Sequence, residues 1–400
     1  MAYRYRLYPT AQQSVFMAER HCADARFVWN LAVEQFNWGR AGRSAPGPAD
    51  RMHQLAEARQ EFEWLRRGSS AVQQQALRDF DWAVKEFFNG TRGRPTWRKK
   101  HRHEGFCVRD TKVRVHSRKW AQVAVPKLGW VRFQLSRALP AGALGMARIT
   151  RDKAGRWHVS FPGRQPAVAD AGRSGRSVGI DRGVATTVAT SDGQMLRAPV
   201  MRERERRRLQ RLQHTLARQA KCSGRREATK AAIAGLHQRV ADRRRDWVEK
   251  ITTKLAAHYE VIAVEALPVR NMVRRPKPKP DPDNPGQFLA NGAAAKAGLN
   301  RSIHANCWGL IARRLEQKMS ASETTLVVVP AYYSSQQCRK CGHTSPGNRK
   351  SQADFRCQSC GHCDHADTNA AAVILARATK PAPTPGPGAT PSGVLAKART

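Results

Sequence analysis

The 400-residue sequence is short of acid: 31 Asp and Glu stand against 71 Lys and Arg, a formal net charge of +40. A compact chain with that imbalance repels itself unless a polyanion neutralises it, which points to a nucleic-acid partner. It also lacks a long apolar span, a lipidation motif and a recognisable signal peptide, all of which argues against membrane attachment. Cysteine is sparse, with nine in the chain, whereas secreted disulfide frameworks are small and cysteine-dense. Five of them, Cys22, Cys107, Cys222, Cys307 and Cys363, stand singly or outside any paired spacing. That usage predicts a reducing cytoplasm and one metal site. No Ser/His/Asp arrangement suggests a side-chain nucleophile.

What is present divides into two or three domains' worth of pattern. Residues 3–8 alternate with period two, reading as a half-buried strand with Arg4 and Arg6 on one face. After Pro9-Thr10, Val15, Ala18, Cys22, Ala25, Trp29, Ala32 and Phe36 recur at helical steps. Further helices are predicted over 50–66 and 69–89. Residues 106–161 switch to short β-like runs with a hairpin turn at Asp152–Gly155, suggesting a small barrel that the first strand joins. A linker follows over 166–176. Strands are predicted at Ser177–Ile180, Gly183–Ser191, 261–264 and Thr325–Pro330. Between them, 201–259 reads as an Arg-rich helical hairpin closed by Leu209, Leu212 and Leu216 against Ile233, Leu236 and Val240. Arg270–Asn300 is Pro-, Gly- and Ala-rich and predicted to be mobile, Ser302–Met319 helical, and 381–400 a disordered tail.

Two basic segments are candidate nucleic-acid contacts. Arg92, Arg94, Arg98, Lys99 and Lys100 share a loop with Trp97, a composition suited to following a phosphate backbone while the ring stacks or packs. Arg204, Arg207, Arg208 and Arg211 crowd one helix of the hairpin. The plainer reading of either stretch is a solvated face.

Three separated acids carry the chemistry. Asp181 follows the run 177–180, Glu265 ends Val261-Ile262-Ala263-Val264, and Asp367 opens an alanine-rich helix. Individually they admit plainer readings as a turn residue, a salt-bridge partner and a helix cap, and Asp364 competes with Asp367. Together they suit two hard divalent cations held about 4 Å apart for phosphodiester hydrolysis. Asp181 would bridge both ions, and Glu265 and Asp367 would each hold one.

Cys338-x-x-Cys341-Gly-His and Cys357-x-x-Cys360-Gly-His repeat one knuckle, with 15 residues between them. Each glycine permits the tight turn behind two thiolates that a tetrahedral zinc requires, and four protein ligands leave no position for a catalytic water. Cys363, His343, His362 and His365 are second-rank alternatives. Arg339, Lys340, Arg349, Lys350 and Arg356 would decorate this knob and touch nucleic acid.

With these residues in view, the chain resembles the TnpB family, transposon-encoded RNA-guided DNA endonucleases related to type V CRISPR effectors. The resemblance runs through Tyr3–Thr10, Gly93-Arg94-Pro95, Gly179-Ile180-Asp181-Arg182-Gly183, the Arg-rich hairpin and Val264-Glu265-Ala266-Leu267. It continues through Ser334-Ser335-Gln336, the cysteine knuckles and Asp367-Thr368-Asn369-Ala370-Ala371. Ala266, where the family often has an acid, and the extra thiol of Cys363 are the departures.

The resemblance implies a multidomain α/β chain. Its RNase H-like (RuvC) nuclease domain, 177–337 and 363–380, would carry a zinc ribbon insertion at 338–362. An N-terminal wedge β-barrel, 1–10 with 106–165, would carry a helical recognition insertion at 11–105. It further implies Mg²⁺ or Mn²⁺ on Asp181, Glu265 and Asp367, structural Zn²⁺, and a guide RNA encoded near the same insertion-sequence locus. The target would be double-stranded DNA beside a short transposon-adjacent motif, in a prokaryotic cytoplasm at the nucleoid. The rivals are a nuclease-silent RNA-guided DNA-binding regulator and an RNase H-fold transposase or resolvase.

Overall fold

The computed structural model describes residues 2–39, 42, 44–142, 144–164, 166–172, 175–322 and 324–379; the tail expected at 381–400 lies outside them. The chain is mixed α/β and divides into two compact units, 1–165 with 201–239 and 166–200 with 240–400. No helix among the described residues is long and apolar enough to cross a membrane.

The first unit begins with β1 (Ala2–Tyr8), whose central residues Tyr5 and Leu7 point into the core. Thr10 caps the next helix in a reciprocal box, its hydroxyl accepting from Gln13 N and its own N–H reaching Gln13 Oε1. α1 (Ala11–Phe16) runs through a π-helical turn, Met17–His21, into α2 (Cys22–Trp38). That turn corrects the predicted single apolar stripe. Its i→i+5 bonding shifts the helical register, so Val15 is 53% exposed while Met17 and His21 are buried. α3 (Pro48–Glu61) and α4 (Glu63–Arg66) replace the one helix predicted at 50–66, because Phe62 adopts an extended backbone between them. α5 (Ser70–Phe88) follows and packs Phe80 edge-on against Trp29.

Six more strands complete an antiparallel sheet: β2 (Gly105–Arg109), β3 (Val113–Val115), β4 (Trp120–Val125), β5 (Gly129–Gln134), β6 (Met146–Arg151) and β7 (Trp157–Pro162). Their order is β2-β6-β7-β1-β5-β4-β3, with the chain's first strand at the centre. Alternation puts Val123, Val131, Phe133, Ile149, Val159 and Phe161 on one buried face with Tyr5, each worth about 1.5–3 kcal/mol of burial. α6 (Glu203–Arg218) and the start of α7 (Gly224–His258) also belong to this unit. Leu209, Leu212 and Leu216 are half-buried and Leu236 is buried.

In the second unit, β8 (Ser177–Asp181), β9 (Val188–Thr190), β10 (Met195–Leu196), β11 (Val261–Glu265) and β14 (Thr325–Val329) form one sheet, ordered β10-β9-β8-β11-β14. β8, β11 and β14 are parallel, and β9 pairs antiparallel with β8. The strand predicted over Gly183–Ser191 is shorter than expected. Gly183 turns so tightly that a Cβ there would lie 2.7 Å from Thr186 O, and pairing starts only at Val188.

The stretch predicted to be mobile, Arg270–Asn300, contains regular elements. They are α8 (Val269–Met272), a small hairpin of β12 (Lys279–Pro280) and β13 (Phe288–Leu289), and the start of α9 (Ala293–Ala305). Its alanines favour helix, a propensity outweighed in the reading by the neighbouring prolines. α9 and α10 (Trp308–Met319) are separate, since Cys307 adopts φ +56° between them.

The expected linker is fastened down. Val168 N donates to Ser322 Oγ, Ala171 N to Ala257 O and Gly175 N to Glu260 Oε2. The chain ends, as described, with β15 (Asp354–Arg356), β16 (Cys363–His365) and α11 (Ala366–Thr379). α11 lies on β8 so closely that a Cβ on Gly179 would stand 2.0 Å from Ala371 O and 2.8 Å from Leu375 N.

Candidate functional site

Strand register brings the first two acids together. Val264 pairs with Ile180 in the parallel β8–β11 ladder, so the next residues, Glu265 and Asp181, end adjacent strands on the same face. Asp367 lies in the first turn of α11, one turn before the Ala371 carbonyl that rests over Gly179. The close approach that only glycine permits thus delivers the third acid. Asp181 is the last residue of a strand and pairs with Ala189, so it is no turn residue.

Burial first, and then the charges of Glu265 and Asp367, push the Asp181 carboxyl up to about 7, with Arg349 opposing them. Glu265 is also raised, chiefly by burial, against the pull of Ser334, Arg182 and Arg377. The Ser334 hydroxyl donates to Glu265 Oε1, whereas Arg182 donates to the Glu265 backbone carbonyl, so the carboxylate is not spent on a salt bridge. Asp367 is not the N-cap, since it is already the second residue of α11, and its own N–H donates to His365 Nδ1 at 3.2 Å. Its carboxylate instead meets Arg349 Nη2 at 3.2 Å. Asp364 pairs with Arg339 at 3.0 Å on β16.

Ser334 and Arg349 take roles beside the acids that their sequence contexts do not indicate. Arg349, one of the cations expected to decorate the knob and touch nucleic acid, meets Asp367 instead. Glu265 and Asp367 are buried and Asp181 is half-buried, and the three acids feel one another's charge with only partial arginine compensation, a donor chemistry that suits hard divalent cations.

The four cysteines meet. Cys338 Sγ lies 3.7 Å from Cys360 Sγ and Cys341 Sγ 3.5 Å from Cys357 Sγ, with all four within 4.8 Å of one another. Tetrahedral Zn–S bonds of about 2.3 Å require S···S edges of about 3.8 Å, so the set fits zinc. Each knuckle closes on its glycine, Gly342 at φ +77° and Gly361 at +71°. Cys363, His343, His362 and His365 are not in the cluster. Buried Asn369 clips the knuckles to α11, donating to Gln337 O at 2.7 Å and accepting from Arg339 N at 3.0 Å.

Elemental analysis should find one zinc per chain. Cys357→Ser should lose that zinc and with it solubility or activity, because structural zinc binding is itself folding free energy. Zinc-free wild-type protein, or zinc loss in Cys363→Ser, would contradict this ligand set.

The candidate nucleic-acid residues are scattered in role. Arg98 is taken up in holding its loop, its guanidinium 3.6 Å from the Trp29 ring centroid and its backbone gripped from both sides by Asn30. Burial lowers it to about 10. Arg94 stacks on Phe36 and bonds Asn37, and Arg92 lies over Trp82. Trp97, Lys99 and Lys100 are exposed. Arg6 lies over Tyr8, and Arg4 shares its sheet face. Arg204, Arg208 and Arg211 line a groove of about 320 Å³ with Leu236 and Arg239, while Arg207 pairs with Glu203.

Three family models match the chain: OrfB_IS605, a probable transposase, over residues 161–275; the Cas12f1-like TNB domain over 308–374; and a helix-turn-helix domain over 1–42. A putative RNA-guided DNA endonuclease, InsQ, of Escherichia coli (strain K12) is 32% identical over 378 residues, 94% of this chain and 91% of that protein. The chain belongs to the TnpB family. A second TnpB-like relative, a putative RNA-guided DNA endonuclease of Streptomyces pristinaespiralis, is 30% identical over 94% of this chain and 88% of its own. The fold is similar to that of Cas12f1 in its complex with sgRNA and target DNA, with a TM-score of 0.53 at 12% identity over 92% of this chain and 83% of that one. Within the TnpB chain, the probable-transposase match spans Asp181 and Glu265, and the TNB match spans the knuckles and Asp367.

Proposed function

We propose that this TnpB-family chain is an RNA-guided, divalent-metal-dependent DNA endonuclease that cuts double-stranded DNA beside a short adjacent motif. The observation that carries the reading is the convergence of Asp181, Glu265 and Asp367 at two strand ends and a helix start, with Asp181 driven up to about 7 by burial first and then by the charges of the other two acids. Two relatives at 30–32% identity are named RNA-guided DNA endonucleases. In this reading the second unit is an RNase H-like, RuvC-type domain with a structural zinc ribbon, and the first is a wedge carrying the helical insertion.

Mg²⁺ or Mn²⁺ would be held by Asp181, Glu265 and Asp367. Bound there, the ions supply charge stabilisation and an acidified water. Ser334 orients Glu265 by donating to Oε1, and Arg182 fixes the end of its strand. Arg349 keeps Asp367 in place.

A guide RNA encoded near the same locus would pair with one DNA strand, leaving sequence recognition to base pairing. The excess of +40 then serves to hold RNA and DNA phosphates. RNA-free protein should bind polyanions nonspecifically, with an affinity that falls steeply as salt rises. Adding the RNA that co-purifies should raise Tm by mass action and switch on cleavage of a matching plasmid. Full DNA cleavage by RNA-free protein would favour a plain nuclease or resolvase. Guided binding without cleavage would favour a silent regulator.

A further inference from the structure

The turn after β14 holds two tyrosines against solvent, immediately before Ser334 in the chain. Tyr332 is 66% and Tyr333 61% exposed. Tyr333 has φ +56°, a left-handed conformation that costs a bulky residue energy and would cost glycine none. The turn is fixed, since Gln336 N and Gln337 N both donate to the Tyr333 carbonyl at 3.0 Å. The next residue, Ser334, donates to Glu265 Oε1. Arg377 of α11 lies 5.1 Å from the Tyr332 ring centroid and donates to Pro330 O at 2.9 Å and Gln337 Oε1 at 2.8 Å. The same guanidinium opposes the upward push that burial gives the Glu265 carboxyl. The two tyrosine rings meet edge to face, 6.1 Å apart at 73°. One ring is therefore braced from behind, and the other is presented next to a residue that touches an acid.

We infer that Tyr333 is a stacking platform for an unpaired nucleobase flanking the scissile phosphate, with Tyr332 and Arg377 as its buttress. The inference rests on reading the three acids as the cleavage centre. Cations bind phosphates but leave a flexible strand free to slide, and a displacement of one ångström at the reacting atoms is costly. A ring that stacks on the adjacent base fixes the strand's register. Stacking accepts any base because each has a π-face, which suits a protein that leaves sequence to pairing.

The test uses the full-length protein with its RNA, in wild-type form and as Tyr333→Ala, Tyr333→Gly, Tyr333→Phe and Tyr333→Trp. Tyr333→Gly suits the left-handed backbone, so it removes the ring without straining the turn. Single-turnover cleavage by the Ala and Gly variants should slow about ten- to a hundredfold, with scattered cut positions and unchanged guided binding. Phe and Trp should restore rate and position. One abasic nucleotide walked across the cut site should slow wild type similarly at a single position and slow Tyr333→Gly no further there. Wild-type rate and cut positions in Tyr333→Gly, additive effects with the abasic substrate, or a Phe variant as slow as Gly would each overturn the inference alone. A wild-type complex that binds its target and never cleaves overturns the nuclease reading, and the inference with it.

Discussion

Asp181→Ala, Glu265→Ala and Asp367→Ala should each depress DNA cleavage by about a thousandfold or more, while guided binding stays within about twofold of wild type. The asymmetry follows from placement. These three carboxylates sit at the ends of β8 and β11 and the start of α11, and phosphate contacts elsewhere supply affinity. Near-normal cleavage by Asp367→Ala would transfer its role to Asp364, which the structure instead ties to Arg339.

Asp181→Asn adds a test that needs no substrate. The folded carboxyl holds its proton up to about pH 7, against an ordinary value of 3.8. Well below pH 3.8 both folded and unfolded chains are protonated and the group costs nothing. As pH rises to 7 the unfolded chain ionises first, so stability drains away and then levels off. Metal-free Asp181→Asn should therefore melt several degrees above wild type at pH 8 and close to it at pH 4, and should gain less from added Mg²⁺. Parallel pH profiles for the two proteins would refute the buried, crowded carboxyl.

The second large effect is expected at a residue that touches no ligand. Gly179→Ala would set a Cβ 2.0 Å from the Ala371 carbonyl and 2.9 Å from Leu375 Cβ. The first obstacle is helix backbone, which cannot rotate aside, so α11 must move off β8 and take Asp367 with it. The substitution should cost roughly 3 kcal/mol or more and abolish cleavage with every acid intact. Denaturant melts and a cleavage assay on the purified variant would decide it. A stable, active Gly179→Ala protein would mean that the close helix–strand contact is dispensable.

The acids and the knuckles were legible because their signals are local. A carboxylate ending Val261-Ile262-Ala263-Val264 has few places to go, and two C-x-x-C-G-H repeats force thiolates together. Pairing was not local. Nothing near Arg349 says that it turns inward to Asp367, and nothing near Ser334 says that it meets Glu265, 69 residues earlier. The π-turn at Met17–His21 hid for a different reason, since periodicity assumes one pitch and a single i→i+5 turn shifts the phase that Val15 seemed to share with Cys22. In the stretch before Asn300, prolines and glycines masked an alanine run that packs as α9. The basic loop was readable as a loop, but burial of Arg98 against Trp29 depends on a helix some 70 residues away.

The contact between Gly179 and Ala371 also sets a schedule. Asp181 leaves the ribosome about 190 residues before Asp367, roughly 10–40 s earlier at ordinary elongation rates. Throughout that interval β8 has no α11 to cover it, and the acids cannot assemble. On the proposed reading, a nascent or prematurely terminated chain would carry the arginines offered to nucleic acid but not a complete centre for cutting it. Synthesis order thereby keeps the three acids apart until α11 has been made.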